Sequence, residues 1–211
     1  MSRTIEQTIY KFDELSDEAK EKAREWWRQC ENADFTDLLD RDDFEKVAKI
    51  LGIEFSKRYV NLMNGKTRGE PDISYSGFWS EGDGASWQGS YSYAKGSCKA
   101  IRTYAPNDKD LHSIADQLFA LQRKYFYRIT VDIYKRSSLY SHSGTMQAHA
   151  YVGDNDANDS IREDILDIMR SFADWIYSQL EKEYEYIMSD ENVDENIRCN
   201  EYEFDEDGDI A

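Results

Sequence analysis

Three histidines, His112, His142 and His149, are the side chains whose ordinary pKa lies nearest neutrality. None sits in an HExxH, HxxxH or Cys–His pattern. Ser141-His142-Ser143-Gly144 sets hydroxyls beside a titratable ring, but a nucleophilic serine is oriented by tertiary geometry that this spacing does not define. Asp154-x-Asp156-x-Asn158 copies the first ligand positions of an EF-hand loop. Asp159 then stands where that loop needs glycine, and Ile165 where it needs a bidentate glutamate, so the stretch reads as a solvated acidic turn. Gly82-Asp83-Gly84-Ala85-Ser86-Trp87 begins like a phosphate-cradling GxGxxG. Trp87 takes the place of the last glycine, and the segment lies between strands, so it reads as a tight hairpin. Carboxylate pairs are too numerous to single out an acid and a base. No catalytic residue, metal or cofactor is expected.

Binding chemistry is better represented. Phe78 and Trp79 precede Glu81-Gly82-Asp83-Gly84, Trp87 follows it, and Tyr75, Tyr91 and Tyr93 flank it. Such rings anchor interfaces, and they also fill antiparallel sheet cores. Alternation with small polar residues assigns most of them to the core. Trp79, Asp83 and Trp87 are the candidate partner contacts of this loop. A second stretch, Arg123-Lys124-Tyr125-Phe126-Tyr127-Arg128 with Lys135-Arg136 beyond it, interleaves cations and rings as single-stranded nucleic-acid binders do. The net charge argues against that use, and no direct nucleic-acid binding is expected.

That charge is −17, from 43 Asp+Glu against 26 Lys+Arg in 211 residues. Residues 1–53 carry −5, residues 54–153 carry +4 and residues 154–211 carry −16. The last segment repels phosphates and anionic membranes and attracts a basic surface. Acidity also simply keeps a protein soluble. Glu163, Asp164, Asp167, Asp174, Glu181 and Glu185 lie mostly off the apolar stripe of the long last helix. They are the candidate acidic contacts to a basic protein or ribonucleoprotein surface.

The elements that must position these residues follow from periodicity. Residues 4–12 are rich in β-branched and aromatic side chains and predict a first strand. Ser16 predicts the N-cap of a helix running to about Cys30, and a second helix is predicted over residues 37–51 with Gly52 just past its end. Strands are predicted near residues 53–62, 72–80 and 85–94, and a third helix begins after Asn107 or Asp108. Strict alternation marks a strand at residues 125–135, with a partner at 145–152. Ser160 and Glu163 have capping-box spacing before a helix over residues 161–188, and Ser189 or Asp190 caps a short helix near residues 191–198. Tyr10-Lys11-Phe12-Asp13-Glu14 and Tyr202-Glu203-Phe204-Asp205-Glu206 echo one another; as neighbouring strands they would set Lys11 opposite Glu203. The expected fold is α+β, one domain over residues 1–211: an antiparallel sheet of about five to seven strands against N-terminal helices and a long C-terminal helix. The acidic helical region 154–211 is part of it. No apolar run is long enough for a membrane helix, and residues 1–6 lack a signal peptide's apolar stretch. Cys30, Cys98 and Cys199 are odd in number and widely spaced, as reduced cytosolic thiols are.

Three stretches are familiar together: YKFDELSDEAKEKAR at residues 10–24, GFWSEGDGAS at 77–86 and NEYEFDEDG at 200–208. On these motifs the chain resembles a family of uncharacterised phage and prophage proteins, over nearly its whole length. The resemblance implies a phage accessory protein acting in a bacterial cytosol and transfers no catalytic residue. Small acidic proteins of that kind often inhibit host defence, some by presenting carboxylates where a target expects phosphates. The implied function is non-enzymatic inhibition of a CRISPR effector or restriction system through an acidic, DNA-mimic-like face. The alternative is a structural or regulatory protein that binds its partner through the aromatic loop at residues 75–93.

Overall fold

In a computed structural model of the protein, the described residues are 8–31, 41–63, 65–80, 82–136 and 141–211. The fold is α+β, as expected, and the chain divides into two compact units. Residues 40–179 form one; residues 1–39 and 180–211 form the other. The predicted residues 4–7 and 37–40 lie outside the described residues.

The larger unit is built on a five-stranded antiparallel sheet. Its strands are β2 (Ile53–Phe55), β7 (Gly89–Ser92), β8 (Ile129–Lys135), β9 (Met146–Val152) and β10 (Asn155–Asp156), in the order β10-β9-β8-β7-β2. Along β8, Ile129, Val131 and Ile133 are buried while Thr130, Asp132 and Tyr134 are exposed. Alternation puts one set on each face, so one face packs a core and the other meets water. Two separate ribbons pair β3 (Lys57–Asn61) with β4 (Thr67–Pro71) and β5 (Ile73–Tyr75) with β6 (Ala85–Trp87). The predicted strand over 72–80 therefore ends at Tyr75. The helices are α2 (Arg41–Leu51), α3 (Ser97–Tyr104), α4 (Lys109–Lys124) and the greater part of α5 (Asp159–Ile187). Trp87, Phe172, Met169, Ile165, Leu118 and Ile129 are among the fully buried side chains.

Local chemistry explains the boundaries. Gly52 has φ +90°, and a Cβ there would stand 2.1 Å from the Ser92 carbonyl oxygen, so only glycine lets α2 turn into β2 against β7. The Asp108 side chain accepts the Leu111 N–H at 3.0 Å and caps α4. Asn158, not Ser160, caps α5: its Oδ1 accepts the Ile161 N–H at 3.0 Å, and the helix starts at Asp159. The strand predicted from Tyr125 begins instead at Ile129, because Phe126 and Tyr127 adopt positive φ and form a turn.

The smaller unit joins the two ends of the sequence. Strand β1 (Tyr10–Lys11) pairs antiparallel with β11 (Glu203–Phe204), in a register that sets Lys11 opposite Glu203 and Tyr10 opposite Phe204. The echo of the two segments is thus a strand pair. Around it pack α1 (Asp17–Glu31), the last turns of α5 and α6 (Asp190–Cys199). Phe12, Leu15, Ala19, Ala23, Trp27, Ile187, Val193, Ile197 and Phe204 form its core. Ser16 caps α1 and Ser189 caps α6, both as predicted.

Candidate functional site

The partition of the chain redistributes its charge. The larger unit carries 20 Asp+Glu against 18 Lys+Arg, net −2; the smaller carries 23 against 8, net −15. The excess that sequence position assigned to residues 154–211 therefore belongs to a unit made from both ends of the chain. The acidic residues of α5 before Leu180 lie in the nearly neutral unit.

Within the smaller unit, most of the placed cations are already engaged. Arg24 clasps Asp194 through two hydrogen bonds, Nε to Oδ1 at 2.6 Å and Nη2 to Oδ2 at 2.9 Å. That contact holds the Asp194 carboxyl below its usual range and raises the guanidinium. Arg28 bridges Glu21 and Asp190, Lys22 meets Asp209 at 2.7 Å, and Arg198 meets Asp13 at 2.9 Å. What remains is negative. An open hollow of about 440 Å³ is lined by Glu18, Glu21, Glu25, Glu206 and Asp207, with Lys22 at its side. Among the described residues, no ion pair engages Glu18, Glu25, Glu206 or Asp207. Beside it, Gly208, with φ +86°, lies against the Ala19 carbonyl oxygen; a Cβ there would come within 2.2 Å of it. Asp205 holds that turn by accepting the N–H groups of Asp207 and Asp209.

The six acidic residues expected on the last helix fall on both sides of the boundary. Glu163, Asp164, Asp167 and Asp174 are exposed on the larger unit. At 100° per residue they occupy an arc of about 100°, spread over about 16 Å of helix. Asp167 pairs with Arg170 at 3.2 Å. Glu181 (half-buried) and Glu185 (exposed) belong to the smaller unit.

The aromatic loop between β5 and β6 is stapled. Asp83 Oδ2 accepts the N–H groups of Trp79 and Ser80, each at 2.8 Å, which holds its carboxyl below the usual range. The Ser76 hydroxyl accepts the Gly84 N–H and donates to the Ser141 carbonyl. Phe78 stacks between Tyr75 and Tyr177, whose hydroxyl donates to the Gly77 carbonyl at 3.0 Å. Trp79 is 81% exposed at the tip. Trp87 is corrected: it is fully buried, edge-on to Phe55 and Phe172, with its indole N–H donating to the Met169 carbonyl. Its strand is buried at every position, so it is a core residue and not a partner contact. Asp83 shapes the loop from within.

The histidines serve local structure. His112 Nε2 lies 2.8 Å from the Ala105 carbonyl, His142 Nδ1 accepts the Gly144 N–H, and His149 Nε2 lies 3.3 Å from Asp156. Among the described residues no His/Cys/Asp/Glu group is arranged to hold a metal, and no helix is long and apolar enough to cross a membrane.

A family described as a domain of unknown function, DUF8835, matches residues 39–190. The chain belongs to this family. The match takes in the whole larger unit and ends at the first residue of α6, while α1, β1 and β11 lie outside it. No curated protein and no solved structure matches the chain.

Sequence reasoning missed Glu18, Glu25, Glu206 and Asp207. Their grouping depends on pairing segments nearly two hundred residues apart. The signal available was the Tyr-x-Phe-Asp-Glu echo, with an acidic turn after each copy.

Proposed function

We propose that the protein is a non-enzymatic binding protein whose acidic unit engages a basic, nucleic-acid-handling surface on a host protein or ribonucleoprotein. With the resemblance to phage and prophage proteins, the reading is a phage-encoded inhibitor of a CRISPR effector or restriction system, acting in the bacterial cytosol. The observation that carries it is a net charge of −15 on a unit in which Lys22, Arg24, Arg28 and Arg198 are already paired internally. Such a surface steers a basic partner towards itself and competes with phosphates for the same cations.

The test is capture from a bacterial lysate at low and at moderate salt, with identification by mass spectrometry. Nucleic-acid-handling proteins should be retained at low salt and released by moderate salt or by competing duplex DNA. A variant carrying Glu18→Lys, Glu25→Lys, Glu206→Lys and Asp207→Lys should fold and lose them. Retention of the same proteins by the reversed variant would overturn the reading.

A second reading, a structural or regulatory protein that binds through the aromatic loop, is favoured by Trp79, a large ring 81% exposed on a hydrogen-bonded loop. There, Trp79→Ala would abolish capture and charge reversal would not.

A further inference from the structure

The turn after α4 holds two consecutive aromatic residues in the left-handed region, Phe126 at φ 56° and Tyr127 at φ 61°. Glycine is the usual residue just past a helix end, because a Cβ disfavours this conformation. The surroundings enforce it. The Tyr127 N–H donates to the Gln122 carbonyl at 2.7 Å. The fully buried Gln122 side chain clamps Ile129, donating to its carbonyl at 2.7 Å and accepting its N–H at 3.1 Å. Conformations of this kind persist where the structure over-determines them, and they cluster at functional sites.

The consequence is a presented set of rings and cations. Phe126 is 83% exposed. Tyr127 lies 4.5 Å from Tyr93 and 6.1 Å from Phe119, ring centre to ring centre. The Lys124 ammonium sits 5.3 Å over the Tyr125 ring. Arg123, Lys124 and Arg128 are exposed, and among the described residues no carboxylate forms an ion pair with them. The Arg128 guanidinium rests against Gly153, where a Cβ would come within 2.1 Å of Nη2. Residues 117–131 contain these three cations and no carboxylate.

We propose that this turn is a stacking platform for a single-stranded nucleic acid, with Phe126 and the Tyr127 group taking bases and Arg123, Lys124 and Arg128 taking phosphates. Every base offers a π-face to an exposed ring, and the phosphates supply the charge complementary to the three cations. An acidic peptide would satisfy the cations and leave the Phe126 ring in water. The sequence-based expectation against nucleic acid rested on repulsion by the acidic last third of the chain; the unit that carries this turn has a net charge of only −2. The proposal goes beyond the reading of the acidic unit and uses none of its residues.

The test is fluorescence anisotropy of labelled oligo-dT and oligo-rU, each of about 12 nucleotides, with the full chain. Binding should saturate at low salt. The slope of log K against log salt should be about −2, the value for three phosphates on a single strand. Phe126→Gly should weaken binding by at least about fivefold, the lower end for loss of one stacked base. The same change removes a Cβ from a left-handed position, so the melting temperature should hold or rise, which a merely structural phenylalanine would not allow. Arg123→Gln with Lys124→Gln should reduce the magnitude of the slope by about 1.4. Absence of saturable binding by the wild type would overturn the proposal. So would full affinity of Phe126→Gly, which, together with loss in the Arg123/Lys124 variant, would point to an acidic ligand instead.

Discussion

Gln122→Leu should remove about 4 kcal/mol from the stability of the unit built on the five-stranded sheet. The Gln122 side chain is fully buried and makes three hydrogen bonds: Nε2 to the Ile129 carbonyl at 2.7 Å, Nε2 to the Tyr91 hydroxyl at 3.2 Å, and Oε1 from the Ile129 N–H at 3.1 Å. Leucine fills much of the same space and offers no polar atom. Ile129 is itself fully buried, so its N–H and its carbonyl lose a partner where water does not reach. Each orphaned buried group costs about 1–3 kcal/mol, and two of them give about 4. Urea unfolding followed by tryptophan fluorescence would read the loss. With a slope of about 2 kcal/mol/M, the midpoint should fall by about 2 M. A loss under about 1 kcal/mol at unchanged slope would refute the reasoning, because it would mean that the Ile129 main chain finds other partners.

Burial pushes the Tyr91 hydroxyl up to about 12, above its ordinary 10.0. Its stabilising effect is therefore complete below pH 10 and lost as pH rises from 10 to 12, about 3 kcal/mol in all; a urea series against pH should show this, and Tyr91→Phe should flatten it. Asp194, held low by Arg24, acts in the opposite sense: its contribution is present above the ordinary carboxylate range and is lost as pH falls through the lowered value. Asp194→Asn should make the melting temperature less steep in acid. Gly208→Ala should cost at least about 2 kcal/mol by thermal denaturation, since a left-handed residue gains a Cβ 2.2 Å from the Ala19 carbonyl oxygen. Trp87→Ala should cost about 3–5 kcal/mol, and Trp79→Ala, 81% exposed, under about 0.5 kcal/mol, on the same denaturation curves.

Local signals in the sequence were reliable where neighbours along the chain decide the outcome. Ser16, Asp108 and Ser189 cap their helices, and the alternation of Ile129, Val131 and Ile133 builds β8 as it reads. Asn158 displaced Ser160 as a cap, a shift of two residues within a run of polar residues any of which can accept a main-chain N–H. Helix α3 gives no periodic signal in the sequence because it is eight residues long, with only Ser97 and Ile101 buried, too few to show a period. Tyr125–Tyr127 continued the alternating pattern of β8 yet form a turn, since the contacts of Gln122 override the β preference of aromatic side chains. The candidate site was legible only in part. The polarity of the charge was visible, but its grouping required the β1–β11 pairing to join Glu18 with Glu206. Trp79 and Trp87 have the same residue type and opposite fates, because a three-residue strand buried on both faces looks in sequence like a loop shoulder.

The most direct measurement is the affinity of a captured partner for the wild-type protein and for the Glu18→Lys, Glu25→Lys, Glu206→Lys, Asp207→Lys variant across a salt series. If the acidic unit occupies a phosphate-binding surface, wild-type affinity should fall steeply with salt, duplex DNA should compete, and the variant should bind at least about tenfold more weakly with a shallower slope. Affinity that is indifferent to salt, or equal for the two proteins, would contradict the account.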